Sequence, residues 1–186
     1  MTTLHTRFFS PSLIRNDMVF SHALGIFSVP LWKNAILLSS IMQDWVWKLG
    51  SRLGASTIRF TPSDCYETFP FPEKMASFEQ LGKSYEELRR SIMLSDNIGL
   101  TTLYNSFHNL ENHDSRYEEL RSLQREIDIV VRDAYGWNDI DLEHGFHAVS
   151  YLPENDNIRY TISEAARIEI LKRLAKLNRE RWEEEQ

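Results

Sequence analysis

The sequence predicts an α+β fold that is mainly α-helical, with a small mixed α/β layer at the N-terminus followed by a helical bundle with a short β-hairpin. Three observations support this expectation. Residues 1–73 of the 186-residue chain mix strand-like alternation with one helical stretch. Residues 74–186 carry apolar side chains mostly at spacings of three and four. Two short β-like runs interrupt this helical pattern near its middle. We therefore expect two domains, divided after Glu73.

The first expected elements are a strand and a long helix. Partial alternation of apolar and polar side chains over residues 17–29 predicts a half-buried strand. Pro30 follows at a position where a helix can begin, and apolar residues then recur at helical spacing over 31–49. Gly50 is a typical helix stop, so one helix is predicted between the proline and this glycine.

The end of the first region is predicted to be extended. Residues 57–61 (TIRFT) alternate, which favours a short strand with Arg59 between two apolar residues. Residues 61–64 (TPSD) are typical of a turn. Residues 65–71 should then be extended, because each of the two prolines in FPFP disfavours helix for its preceding residue.

Residues 74–186 are predicted to be mostly helical. Helices are expected over 78–94, 99–107, 115–135 and 165–184. Capping-box patterns begin at Ser115 and Thr161, and Gly136 should end the third of these helices. An irregular hairpin should join residues 146–152 to 158–162.

Composition and charge exclude several classes of protein. The net charge of −6 divides into +1 for residues 1–73 and −7 for the rest, so the chain lacks the basic total of an independent nucleic-acid binder. One cysteine permits neither an internal disulfide nor a cysteine-based zinc site. The sequence shows neither an apolar run of about 20 residues nor a secretory signal. We therefore expect a cytoplasmic protein with no membrane partner.

Motifs for cofactor binding and catalysis are missing from the sequence. Its seven glycines never form Gly-x-Gly, the pattern that cradles dinucleotides. It contains no Asn-Pro dipeptide, which the Asn-Pro-Pro-Tyr motif of amino-methyltransferases requires, and no Glu-x-Lys of a simple restriction-nuclease site. We therefore predict no catalytic residue, cofactor site or metal site in this chain.

Some isolated side chains allow both a structural and a functional interpretation. Neither the pair His108 and His113 nor the pair His144 and His147 has the spacing of a helical zinc site, which favours loop histidines. Cys65 is expected to be a buried small hydrophobe, since no basic residue adjoins it. Two tryptophans could stack on bases. Periodicity places Trp45 in the core and leaves the role of Trp47 open.

The basic residues of the first region are the best candidates for a binding function. The predicted DNA-binding set, at a helix end, on the short strand and in the following turn, is Lys48, Arg52, Arg59, Thr61, Ser63 and Asp64. Arginine and lysine contact phosphates and guanine edges, and short polar side chains add groove contacts. The alternative is that these are ordinary solvated charges on a small α/β layer.

One segment resembles a known family. Residues 61–72 (TPSDCYETFPFP) are similar to TPSDCFETFPFP in the C-terminal part of bacterial type IIG restriction–modification enzymes and their methylase-subunit relatives. Further similar stretches occur in the same order along the chain. These are FSHA at 20–23, GLTTLYNSFH at 99–108, AYGW at 134–137, RYTIS at 159–163, and Ala166, Arg167, Leu177, Asn178 and Arg181.

The resemblance implies the end of a target-recognition domain, residues 1–73, followed by a helical spacer or tail domain, residues 74–186. In such enzymes the recognition domain reads base edges while a separate catalytic domain flips out the adenine. S-adenosylmethionine (SAM) would be bound by that catalytic domain or subunit, which is the expected partner beside DNA. DNA binding by this chain alone should be weak. The alternative is a structural module for homodimerisation or docking without DNA contact.

Overall fold

The computed structural model describes residues 1–15 and 17–186. The helices are α1 (Lys33–Leu38), α2 (Ser40–Leu49), α3 (Ser77–Ser95), α4 (Leu100–Phe107), α5 (Ser115–Ala134) and α6 (Glu164–Glu184). The strands are β1 (Thr2–Thr3), β2 (His5–Thr6), β3 (Leu24–Gly25), β4 (Ser51–Arg52), β5 (Ile58–Arg59), β6 (Gly145–Ala148) and β7 (Ile158–Thr161). This confirms the predicted α+β, mainly α fold.

The strands form three small antiparallel sheets. Strand β1 pairs with β3, β5 lies between β2 and β4, and β6 pairs with β7. The last pair is the predicted hairpin, whose connection contains a short 3₁₀ turn over Glu154–Asp156. Each sheet is too small to be stable alone and depends on the helices packed around it.

The strand predicted over 17–29 is wrong except at Leu24–Gly25. Only Leu24–Gly25 forms a ladder, since β1 offers a partner of two residues. Met18 and Val19 are exposed, so the apolar alternation in this stretch does not reflect burial against the core. A strand without a partner leaves its backbone groups unpaired, and the chain here is irregular instead.

The helix predicted over 31–49 is divided at Ser39. This residue is extended, with ψ of 150°, and its hydroxyl accepts a hydrogen bond from the backbone N–H of Met42 at 3.1 Å. The same hydroxyl donates to the carbonyl of Ile36 at 2.7 Å. Ser39 thus ends α1 and caps α2, which is why continuous periodicity does not give a continuous helix.

The helices enclose one apolar core. Helix α3 packs against α1 and α5, and α6 packs against α2. The close approach of α3 to α1 occurs at Gly82, where a Cβ atom would lie 3.0 Å from the backbone nitrogen of Ala35. Helices on both sides of Glu73 therefore contribute to the same core. The division of function between residues 1–73 and 74–186 stays a prediction.

The long C-terminal helices lie where the periodicity predicts, with different caps. Asp114, not Ser115, caps α5 by accepting from the N–H of Arg116 at 2.9 Å. Ser163, not Thr161, caps α6. Gly136, with φ of +72°, follows the end of α5 in the left-handed region that glycine adopts without strain. Among the described residues, no helix combines the length and apolarity needed to cross a bilayer.

Candidate nucleic-acid interface

The predicted basic residues surround the ribbon formed by β4 and β5. The register places Arg59 opposite Ser51 on one side and opposite His5 of β2 on the other, while Arg52 lies opposite Ile58. Directly opposite residues share a face of an antiparallel sheet, so the two arginines project from opposite faces of the ribbon. Both arginines are exposed.

Apolar side chains anchor the ribbon to the protein core. Ile58 and Phe60 are almost fully buried, and the exposed Arg59 lies between them, as the alternation predicts. Gly50 permits the chain to leave α2 beneath this anchor, because a Cβ atom there would lie 2.8 Å from Cδ1 of Ile58. The basic side chains thus sit on a short ribbon held in place by the core.

The segment after β5 is a compact turn, and the expectation of an extended chain over 65–71 is wrong at its start. Residues Pro62–Tyr66 form one π-helical turn, with proline at its first position, where a missing N–H has no cost. Cys65 is fully buried in this turn, and burial raises the pKa of its thiol. The predicted burial of Cys65 is confirmed.

A hydrogen-bond chain fixes the exposed side of this turn. The indole N–H of Trp45 donates to the hydroxyl of Thr68 at 3.3 Å, and that hydroxyl donates to the carbonyl of Asp64. The carboxylate of Asp64 accepts from the hydroxyl of Ser63 at 3.0 Å. Ser63 and Asp64 are exposed, whereas Thr61, two residues after β5, is half-buried. The turn therefore presents two polar side chains beside the ribbon.

The electrostatic state of the ribbon differs from that of the C-terminal helices. Lys48, Arg52 and Arg59 are exposed, and within the described residues no carboxylate lies within 4.0 Å of their charged nitrogens. In contrast, most arginines of α5 and α6 form ion pairs with local carboxylates, as Arg173 does with Asp139 at 2.5 Å. These three cations thus have no direct ion-pair partner among the described residues, although the whole chain is acidic.

The tryptophans are not available for stacking on bases. Trp45 is buried, as predicted, and Trp47 is equally buried, with only 4% of its surface exposed. The indole of Trp47 stacks on the ring of Tyr151, with centroids 4.9 Å apart. Trp47, whose role the sequence leaves open, is therefore a core residue that packs against the loop following β6.

Three histidines of the two pairs considered as metal ligands are held by contacts with other protein groups. His144 contacts the buried carboxylate of Asp128 at 3.0 Å, and His147 contacts the carbonyl of Glu143 at 2.7 Å. His108 is held by the backbone of Tyr160. In the part of the chain that the structure describes, no three His, Cys, Asp or Glu side chains are arranged to hold a metal ion.

Sequence reasoning missed a set of buried charged residues. Arg89 is 1% exposed and donates to the carbonyl of Pro11, to Ser12 and to Glu86. Arg121 caps the end of α4 by donating to its carbonyls, including that of Phe107 at 2.9 Å. Helical periodicity could not identify such residues, because their burial depends on loops that are distant in sequence.

No protein-family model and no curated protein matches the chain. Among solved structures, the chain is similar to MmeI, described as a Type IIL restriction-modification enzyme in complex with DNA, with 22% sequence identity and a TM-score of 0.48. The similarity covers 82% of this chain, which spans only 17% of the length of MmeI.

Proposed function

We propose that this chain is a non-catalytic DNA target-recognition and helical spacer module of a restriction–modification adenine-N6 DNA methyltransferase. The observation that carries the proposal is the exposed β4–β5 ribbon, whose arginines lack carboxylate partners in the described structure, next to the turn formed by residues 62–66. This turn belongs to the segment TPSDCYETFPFP, on which the resemblance to type IIG enzymes rests.

The geometry of the ribbon suits DNA. The sheet face that bears His5, Ser51 and Arg59 is exposed, and Arg52 is exposed on the edge strand β4. Both arginines can therefore approach phosphates or base edges from outside the protein core. Ser63 and Asp64, at the adjacent turn, supply a hydroxyl and a carboxylate for base edges. We assign Lys48, Arg52 and Arg59 to phosphate or guanine contacts in this proposal.

The acidic helices suit a spacer. Their arginines are largely neutralised by carboxylates on the same or neighbouring elements, as between Arg167 and Glu164 at 2.6 Å. Such a surface has no excess positive charge for a polyanion and is better placed against protein. SAM would be bound by a partner methyltransferase domain or subunit, since this sequence has no Gly-x-Gly motif.

Two binding measurements test the proposal. Fluorescence anisotropy with a labelled duplex should give a Kd of about 10⁻⁴–10⁻⁶ M, weakening steeply as salt rises. Titration calorimetry with SAM should give no binding heat, and specific DNA recognition should require a copurified methyltransferase core. SAM binding by this chain alone would contradict the non-catalytic role. A stable homodimer that binds neither DNA nor a methyltransferase would favour the alternative of a structural module for homodimerisation or docking.

A further inference from the structure

Two segments that the sequence singles out meet at an open cavity of about 400 Å³. The segment GLTTLYNSFH supplies Asn105 and His108, and the segment RYTIS supplies Arg159. Arg7, which directly follows β2, and the 3₁₀ turn of Glu154–Asp156 also line the cavity. This cavity is built by three distant parts of the chain and is separate from the β4–β5 ribbon.

The protonation state of His108 makes it a hydrogen-bond donor. Its Nδ1 accepts a hydrogen bond from the backbone N–H of Tyr160 at 3.1 Å, so the ring proton lies on Nε2. Burial, together with the guanidinium groups of Arg159, Arg121 and Arg7, holds the pKa of His108 well below its usual range. The ring is therefore neutral, and Phe8 fixes its plane by stacking at 5.3 Å.

Arg7 has an unused donor at this cavity. Its Nη2 donates to Oδ1 of Asp156 at 2.5 Å. Its Nε is buried and has no hydrogen-bond acceptor among the described residues. An unpaired donor of a charged group is rare in a folded protein, because water or a protein acceptor normally satisfies it. Because Nε is shielded from solvent, a bound group would instead meet Nη1, which is not enclosed and has no acceptor among the described residues.

Arg159 is held only loosely by the carboxylate that it shares with Arg7. Its side chain is 8% exposed, and both of its contacts to Oδ1 of Asp156 measure 3.4 Å. Charge-assisted hydrogen bonds are usually about 2.7–2.9 Å long. Nη1 of Arg159 also donates to the carbonyl of Ile158 at 2.7 Å. Two guanidinium groups thus converge on one carboxylate, which leaves excess positive charge at the cavity.

We propose that this cavity binds a phosphate group, with Arg7, Arg159 and the Nε2–H of His108 as donors. A tetrahedral phosphate accepts hydrogen bonds from several directions at once and compensates the second guanidinium. The exposed amide of Asn105 completes the donor set. Asp156 opposes an anion, so it competes with phosphate for Arg7. The phosphate comes either from DNA or from free phosphate or a nucleotide.

Titration of the ¹⁵N-labelled chain with inorganic phosphate tests the proposal. The ring ¹⁵N resonances of His108 should report an Nε2–H tautomer and shift saturably. Arg7→Gln should weaken phosphate binding about tenfold, whereas Asp156→Asn should strengthen it by a similar factor, since it removes the competing charge. Arg15→Gln is the matched control, because Arg15 pairs with Asp17 away from the cavity and its loss should leave the affinity unchanged.

A second variant keeps the test independent of the Arg7–Asp156 ion pair. Asn105→Ala removes an exposed side chain from α4 and should preserve the fold while weakening phosphate binding severalfold. A duplex titration distinguishes the sources: if the phosphate is that of DNA, Arg7→Gln also lowers the salt slope of DNA binding by about one. If that slope is unchanged while phosphate binding weakens, the source is free phosphate or a nucleotide. Absence of saturable binding, or equal affinity in all variants, would overturn the proposal.

Discussion

The hydroxyl of Tyr151 donates a hydrogen bond to Oδ1 of Asp44 at 3.2 Å and thereby links α2 to the loop after β6, 107 residues later. Asp44 is 2% exposed, and its second oxygen has no hydrogen-bond partner among the described residues. Burial raises the pKa of Asp44 to about 7, against the opposing charge of Arg167. Asp128 and Glu164 add to the increase.

We expect this carboxyl group to make stability depend on pH. The folded state keeps the proton on Asp44 up to about pH 7, whereas the unfolded chain loses it near pH 3.8. Its contribution is therefore fully present below pH 3.8 and is lost as pH rises to about 7, by about 1.4 kcal/mol per pH unit for one proton. Urea unfolding at several pH values should show this fall as one component of the total dependence.

Asp44→Asn isolates that component. The amide removes the titrating proton and keeps an acceptor for Tyr151, so the variant should be more stable than the parent at pH 8 and should lack this slope. Glu126→Gln, an exposed change on α5, is the control and should leave the slope unchanged. Parallel pH profiles of Asp44→Asn and the parent would show that Asp44 does not hold a proton in the folded state.

Arg89 is expected to be essential for anchoring residues 10–12. It donates to Pro11, Ser12 and Glu86, so Arg89→Leu leaves a carbonyl and a carboxylate without their donor. Breaking such a buried pair typically costs about 3–5 kcal/mol. Chemical unfolding should show a loss of this size, whereas Arg90→Leu, on the exposed face of α3, should change stability by less than about 0.5 kcal/mol. Similar losses for the two variants would contradict the anchoring role.

Gly82 is predicted to set the distance between α3 and α1. A Cβ at this position lies 3.0 Å from the backbone nitrogen of Ala35, so Gly82→Ala forces the helices apart. Overpacking lowers the free energy of unfolding by about 1–3 kcal/mol, and the higher helix propensity of alanine offsets about 1 kcal/mol of this loss. We expect a net destabilisation of about 1 kcal/mol, and a larger one for Gly82→Val.

Lys83→Ala and Lys83→Val are the controls for the Gly82 variants. Lys83 is the next residue on α3, and its side chain is exposed. They should change the midpoint of thermal unfolding little. If Gly82→Ala were as stable as the parent or more so, the close approach to Ala35 would not limit the packing of these helices.

The helices were predictable because they follow from local periodicity, whereas the strands and caps depend on distant partners. The stripe of α5 is visible in the sequence and is confirmed over Ser115–Ala134. The division at Ser39 was not predictable, because it results from a side chain that caps one helix and ends another. The strand over 17–29 failed because, among the residues that the structure describes, only Thr2–Thr3 pairs with this stretch in a ladder.

The candidate site was predictable in part. Alternation around Arg59 correctly indicates its exposure, and the structure places it opposite Ser51. Sequence alone could not show that Arg52 projects from the other face, since that depends on the register of β4 against β5. Their contact with DNA stays a prediction. The cavity at Arg7 was not predictable, because the residues that line it are distant in sequence. Arg7 and Asp156, for example, are 149 positions apart.

The salt dependence of duplex binding by Arg52→Glu/Arg59→Glu shows whether the β4–β5 ribbon contacts DNA. The matched control is Lys172→Glu/Lys176→Glu, which makes the same charge change on α6. We predict that the ribbon variant loses most of its affinity at low salt and that its slope of log K against log salt falls by about two, while the control keeps the parent slope. Equal affinity and slope for the ribbon variant and the parent would contradict the assignment of this ribbon to DNA.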